Sequence, residues 1–289
     1  MEMEEKDFLK NYDMSKYERP SVATDMAIFT IRDYKDDNYR KLAQKRLSIL
    51  MIKRGNHPFK DRWALAGGFV SPNESTEETA KRELLEETGI EDIYLEQLYT
   101  FSRPNRDPRG WIMSCSYMAL VDAKRLTVQA GDDAKEAKWF TVDYILKQDV
   151  RSKDDRSNTS KKYYDLILTS DDGIVLTSEV CFTSTFSVNG AEFDMSIVSS
   201  DLAFDHATII AYAIERLRNK LEYTTVAFNL LGETFTYTDL QMVYEVILGK
   251  KLLSANFRRK MSHLVEPVDA VQADNAGHRP AKLLKRKFI

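Results

Sequence analysis

Hydrophobic positions fall into three regimes along the chain, and each change of regime marks a change of architecture. From about residue 23 to residue 140, compact apolar runs alternate with polar, charged stretches. MAIFTI (26–31) and RLSILMIK (46–53) read as strands, and DYKDDNYRKLAQK between them reads as a solvated connection. Residues 63–70 form another strand-like run that ends in Gly67-Gly68. A helix follows. Ser75 is a good N-cap, Glu78 three residues on completes a capping box, and Gly89 is placed to stop the helix. Residues 93–101 and 111–121 are further strands joined by SRPNRDPRG, and a strand at 138–140 with a short helix from about Val142 closes the unit. Strands, one helix and more strands imply a layered α/β or α+β domain of mixed sheet and helices.

The second regime begins near Lys161. KKYYDLILTS, IVLTSEV, CFTSTFSV and AEFDMSIV are four short β-type runs, with DDG between the first two and NG between the last two. Tight-turn dipeptides between apolar runs predict a β-meander at about 150–200. The third regime is helical. ATIIAYAIERLRNKL has apolar residues at helical spacing. TYTDLQMVYEVILGKKL follows, with Thr238 as the expected N-cap and Gln241 three residues on, and Ser254 caps ANFRRKMSHL. β-compatible pieces surround Asn275-Ala276-Gly277. Three short helices and a hairpin outline a winged helix-turn-helix. The expected division is 1–205, with the meander as an insertion, and 206–289.

A chain of 289 residues suits two domains, and an apolar fraction of 43% can build a core. Cys115 and Cys181 lie far apart and form no CxxC pair, which points to a reduced interior. The acidic start MEMEEKDFLK shows no secretory signal, and the run LSILMI is too short to span a bilayer. The expected setting is cytoplasmic, without a membrane. Charge is unevenly spread. From residue 249 onward ten Lys/Arg face three Asp/Glu, a surplus of seven positive charges in a chain whose net charge is −3. Such asymmetry directs attention to an anionic partner at the basic end.

Between Gly67 and Ile90 the chain reads GGFVSPNESTEETAKRELLEETGI. Residues three and four apart share a helix face, so Glu83, Glu86 and Glu87 converge, with Arg82 beside them and Glu74 just before the helix. A hard divalent cation resolves their repulsion. Mg²⁺ takes oxygen ligands and is held by carboxylates together with substrate phosphates. It can also activate a water for attack. The double glycine lets the backbone approach metal or phosphate closely. Arg103, Arg106 and Arg109 in SRPNRDPRG suit a pyrophosphate, because guanidinium is a planar, multidentate donor.

The spacing Gly68, Glu74, Arg82-Glu83-Leu84, Glu86-Glu87, Gly89-Ile90 resembles the signature of the Nudix hydrolases, GX5EX7REUXEEXGU, at every fixed position. That resemblance covers residues 23–147. It implies a Nudix sandwich and cleavage of a nucleoside diphosphate linked to another group, with Mg²⁺ or Mn²⁺ as cofactor. Glu83 and Glu87 would be the principal metal ligands with Glu86 assisting, Arg82 would orient the glutamates, and the backbone near Gly67 would complete the metal site. The base is expected among Asp132, Asp133 and Glu136. Gly68, Phe101, Arg103, Arg106 and Arg109 form the expected ligand-binding set.

At the other end, TYTDLQMVYEVILGKKLLSANFRRKM is similar to the winged helix of the NrtR family, Nudix-related transcriptional regulators of NAD metabolism. HPFKDRWALAGGFV and RPNRDPRGWIMSCSYMALV resemble that family's N-terminal domain. The resemblance implies an ADP-ribose sensor coupled to a winged helix that binds double-stranded operator DNA as a homodimer, with ligand weakening DNA binding. If ANFRRKMSHL is the reading helix, Asn256, Arg258, Arg259 and Lys260 lie where base edges are reached. Arg279, Lys282, Lys285, Arg286 and Lys287 would meet phosphates. This chain departs from the family in its intact box, in Ala66 where Pro is common, and in its long meander. The alternative is a Mg²⁺-dependent pyrophosphatase, acting on ADP-ribose or a related nucleotide, whose C-terminal helices only dimerise or pack.

Overall fold

The computed structural model describes residues 2–34, 44–89, 91, 93–123, 134–272 and 281–287. A short helix α1 (Glu2–Asn11) leads into strand β1 (Ser21–Tyr34). β2 (Gln44–Arg54), β3 (Trp63–Ala64), β4 (Ala66–Phe69), helix α2 (Thr76–Thr88), β5 (Tyr94–Phe101) and β6 (Ile112–Val121) follow. Then come four long strands: β7 (Ala134–Lys153), β8 (Ser157–Ser170), β9 (Val175–Ser187) and β10 (Gly190–Ser200). The C-terminal part holds α3 (His206–Lys220), a 3₁₀ turn at Val226–Leu230, α4 (Tyr237–Leu248), α5 (Ser254–Met261) and the hairpin β11 (Val265–Gln272) and β12 (Ala281–Arg286).

β1 to β10 make one mixed sheet in the order β10-β9-β8-β7-β2-β1-β6-β5, with β3 paired to β2 and β4 to β1. β1 and β6 run parallel and the other neighbours antiparallel. The sheet forks in its middle. β1 pairs with β2 only from Phe29 onward, and its earlier half, Ala23 to Met26, pairs with β4. The end of β2 pairs with β3. The break between β3 and β4 falls at Leu65, so the expected single strand at 63–70 is two short ones.

Both faces of the central strands are covered, which explains why β1 and β2 read as nearly continuous apolar runs. Met26, Ile28, Leu50 and Ile52 face α2 with Ala80 and Leu84. Their neighbours Ala27, Phe29, Ile31, Ile49 and Met51 face the other way, into a cluster that includes α3, α4 and α5. This alternation is the period of two expected of a strand. One buried cluster therefore runs from the sheet through α3 to Phe257 of α5 and Leu284 of β12.

Several expectations are corrected. No helix begins at Val142: residues 134–153 form β7, paired along one edge with β2 and along the other with β8. The meander is not a separate insertion but the continuation of the sheet. IVLTSEV and CFTSTFSV are one strand, β9, because both pair with β8 without interruption from Ser157 to Thr169. The cap of α4 is Thr236, boxed with Asp239, rather than Thr238 with Gln241. Ser254 is the first residue of α5, and Leu253 stands at its cap position with no side-chain bond. The expected turn at Asn275-Ala276-Gly277 lies outside the described residues, as do Asp132, Asp133, Arg279 and Ile90.

Candidate functional site

The predicted capping box on α2 is present, with Ser75 and Glu78 bonded reciprocally, and Gly89 closes the helix at φ +69°. Thr76 and Tyr117 hydroxyls, 2.8 Å apart, tie the helix start to β6. These contacts aim one face of α2 at the fork in the sheet. Glu83, Glu86 and Glu87 there line a cavity of about 440 Å³ together with Gly67, Gly68, Arg82, Arg106 and Arg109.

The glycines are needed for close approach. A Cβ on Gly68 would lie 2.0 Å from Glu83 Oε1, and one on Gly67 would lie 2.0 Å from the Thr24 carbonyl oxygen. The Glu83 carboxylate thus rests directly on the Gly68 backbone. Arg82 ties the cluster together. Its Nε donates to Glu74 Oε1 at 2.9 Å, and its Nη1 donates to Glu83 Oε1 at 2.9 Å and to Glu86 Oε1 at 3.4 Å. The hydrogen bond from Arg82 holds Glu74 down to about 2. Burial outweighs the same arginine at Glu83 and raises its carboxyl.

Among the described residues, no three acidic, histidine or cysteine side chains stand at coordinating separation. In this conformation Arg82 neutralises the glutamates instead. The donor set nevertheless fits a hard divalent cation: three carboxylates, Glu83, Glu86 and Glu87, face one cavity, and Gly68 leaves room for one of them against the backbone.

The arginines separate into different roles. Arg109 pairs with buried Asp107 at 2.7 Å and lies over the rings of Phe69 and Phe204, 4.9 and 5.4 Å from their centroids. Arg106 is buried, donating from Nε to Asp205 at 2.8 Å and from Nη2 to the other Asp205 oxygen at 2.6 Å. Arg103 pairs with Asp194 of β10 and, with Phe101, lines a second, aromatic cavity rather than the carboxylate one. Glu136 on β7 pairs with Lys138 at 2.5 Å and Lys53 at 3.9 Å and does not line the carboxylate cavity.

Sequence reasoning missed the far wall, made by Phe204 and His206, with Asp205 behind Arg106. Phe204 adopts φ +53°, a left-handed backbone that aromatic residues seldom take. Arg54 lies over its ring at 4.8 Å, and Phe59 packs edge-on at 4.8 Å. His206 accepts the Leu65 amide at Nδ1, so its Nε2–H faces Asp25 Oδ1 at 3.4 Å. Burial alone would raise Asp25, yet His206 and Arg106 outweigh it and hold its carboxyl well below the usual range. Asp25 lies opposite Gly67 across the β1–β4 pair. No local motif announces these residues, because their partners lie 81 to 181 positions away in the chain.

At the basic end, Asn256, Arg258, Arg259 and Lys260 are exposed on α5, while Phe257 and Met261 turn inward. Phe257 packs edge-on against Tyr244 at 5.2 Å. The turn from α4 to α5 is organised by Glu245, which is buried and was not singled out in the sequence. It accepts from Gln241 Nε2 at 2.9 Å, Lys251 Nζ at 2.8 Å and the Leu252 amide at 3.0 Å. Gly249 at φ +65° ends α4 and allows that turn. On the hairpin, Lys282 and Lys285 are exposed, and Lys285 pairs with Glu266 at 3.0 Å. Arg286 turns back to the protein, 2.8 Å from the Thr225 hydroxyl and over the Phe228 ring.

Comparison with known proteins finds two family matches. The NUDIX domain matches residues 40–160, and the NrtR DNA-binding winged helix domain matches residues 227–285. The ADPR responsive transcriptional repressor NtrR of Acinetobacter baylyi is 33% identical over 97% of this chain and 88% of its own length. Among solved structures, a MutT/nudix family protein from Enterococcus faecalis matches with a TM-score of 0.66 at 29% identity, covering 99% of each chain. Shewanella oneidensis NrtR in complex with a 27mer DNA matches with a TM-score of 0.58 at 27% identity, covering 92% of this chain and 93% of its own. No helix among the described residues is long and apolar enough to cross a membrane.

Proposed function

Because the chain belongs to the NrtR family of Nudix-related transcriptional regulators, we propose that it is an ADP-ribose-responsive DNA-binding repressor. ADP-ribose occupies the carboxylate cavity, and double-stranded operator DNA lies on α5 and the β11–β12 wing. The observation that carries this reading is the single buried cluster that joins the forked sheet, through α3, to the inner face of α5. Sensing is assigned to residues 1–205 and reading to 206–289, with α3 between the cavity and the reading helix.

In the cavity Glu83, Glu86 and Glu87 would hold a divalent cation, Mg²⁺ in the cell, which would supply positive charge against the pyrophosphate. Arg109 and Arg106 meet the phosphates. On the DNA side, Asn256, Arg258, Arg259 and Lys260 read base edges, and Lys282 and Lys285 meet phosphates. A homodimer matches a palindromic operator.

The test is fluorescence anisotropy with a duplex from the region upstream of the protein's own gene, titrated with ADP-ribose. The reading expects tight binding in moderate salt that ADP-ribose weakens. Absence of binding to any such duplex removes it.

A second activity, hydrolysis of ADP-ribose, is favoured by the complete set of Nudix glutamates in one cavity. When bound, the cation would lower the pKa of a water and neutralise charge on the phosphates. Release of AMP from ADP-ribose with Mg²⁺, lost in Glu87→Gln, supports a working hydrolase. Binding of ADP-ribose without AMP leaves a sensor alone.

A further inference from the structure

Asp205 occupies the N-cap position of α3, and Asp is among the residues that cap helices best. Here it makes no capping bond. Its carboxylate is given to Arg106 instead, in a two-point pair at 2.8 and 2.6 Å. Two partners therefore compete for one carboxylate: a guanidinium and, in the first turn of its own helix, the Ala207 amide, since the His206 and Thr208 amides already bond the carbonyls of Ala203 and Asp205. Arg106 in turn has two claimants. It lines the carboxylate cavity as well as the aromatic one, whereas Asp205 lines only the aromatic one. Arg106 also reaches Asp25 at 3.4 Å, so it stays paired when Asp205 is withdrawn.

We propose that the Arg106–Asp205 pair is an exchange switch: a pyrophosphate in the carboxylate cavity draws Arg106 away, and the freed Asp205 caps α3. The inference rests on the functional reading above and names its relay. α3 is placed to pass the change on. Arg218 near its far end donates from Nε to the carbonyl of Ile247 at the end of α4, at 2.9 Å. α3 is buried along most of its length in the cluster that holds α4 and α5. A packed helix moves as a unit rather than bending.

The experiment compares wild type with Asp205→Asn and Asp205→Ala, measuring DNA and ADP-ribose affinities separately and together. Asn weakens the ion pair and remains a good cap, so it mimics the ligand. Without ADP-ribose it should bind DNA more weakly than wild type, and it should bind ADP-ribose more tightly by a comparable factor, within the roughly 5- to 150-fold range of such couplings. Ala removes both partnerships. It should bind ADP-ribose yet show little ligand-induced change in DNA affinity. Wild-type values for both variants overturn the switch. A wild type that binds DNA but ignores ADP-ribose overturns the functional reading instead. If the variants do not fold, amide hydrogen exchange in wild type decides the switch: ADP-ribose should slow exchange at Ala207, and an unchanged rate there refutes it.

Discussion

His206 Nδ1 accepts the backbone amide of Leu65 at 2.8 Å, which fastens the first residue of α3 to the strand break one residue before Ala66-Gly67. The amide is buried and falls between β3 and β4, where no ladder partner is available to it. His206→Ala strands that donor, and we expect a loss of about 1–3 kcal/mol, the usual cost of an unsatisfied buried group. Calorimetric unfolding measures it. An unchanged melting temperature would show that water or backbone takes over the bond.

Asp25 ties stability to pH. The group faces His206, Arg106 and Ser114, and its folded pKa is held below its ordinary value of 3.8. A depressed carboxylate stabilises the fold in full above its unfolded pKa, and that contribution declines as pH falls toward the folded one. Wild type should therefore be more stable than Asp25→Asn at neutral pH. The gap should narrow below about pH 4, the unfolded pKa range of aspartate. Denaturant melts of both proteins across the acid range test this, and a constant gap contradicts it.

Gly68→Ala places a methyl 2.0 Å from Glu83 Oε1, so the carboxylate must leave its seat. We expect about 1–3 kcal/mol of destabilisation from the overpacking. The larger effect falls on the cation: Mn²⁺ binding, followed by electron paramagnetic resonance, should weaken about tenfold or more, since each 1.4 kcal/mol of lost ligation is tenfold in affinity. Mn²⁺ affinity equal to wild type would place the ion elsewhere.

Glu245 sets the angle between α4 and α5. Glu245→Ala leaves the Leu252 amide without its acceptor, while Gln241 Nε2 keeps the Leu252 carbonyl at 3.0 Å, and we expect a loss of about 1–3 kcal/mol of stability. DNA affinity should drop as well while ADP-ribose affinity stays, because the cavity is untouched. Equal loss of both would mean that the turn supports the whole fold.

The basic residues divide by exposure. Lys282→Ala on β12, proposed to meet a phosphate, should weaken DNA binding and lower the slope of log affinity against log salt by about one. Arg286→Ala should act chiefly on stability, since its guanidinium bonds Thr225 and covers Phe228. Salt titrations of the two variants separate these outcomes.

The Nudix helix was legible because its information is local: a capping box, a stop glycine and glutamates at helical spacing all lie within Gly67 to Gly89. α5 was legible as a helix, but its expected cap was not, since Leu253 rather than Ser254 holds the cap position and makes no side-chain bond. β7 was misread because Val142, Ile145 and Leu146 repeat at i, i+3 and i+4, a helical spacing, while strands on both sides supply the ladder that decides the matter. The cap of α4 was misplaced by two residues because Thr236 and Thr238 both precede an acidic or amide side chain at the right distance. The Asp25–His206 and Arg106–Asp205 contacts were invisible, since only the threading of the segment before α3 past β3 brings them together.

Connections between the parts of a two-part protein are ordinarily where change is best tolerated. α3 inverts this. Nine of its fifteen residues are buried, among them Ile209, Ile210, Ile214 and Leu217. A library of single substitutions scored for repression should find this helix among the least forgiving stretches, and the exposed face of α5 comparatively permissive for folding though not for operator choice. On the proposed reading, new operator preferences would then arise by drift at Asn256, Arg258 and Arg259 without disturbing the sensor. A change in how strongly the sensor is heard must pass through a helix that admits few alternatives.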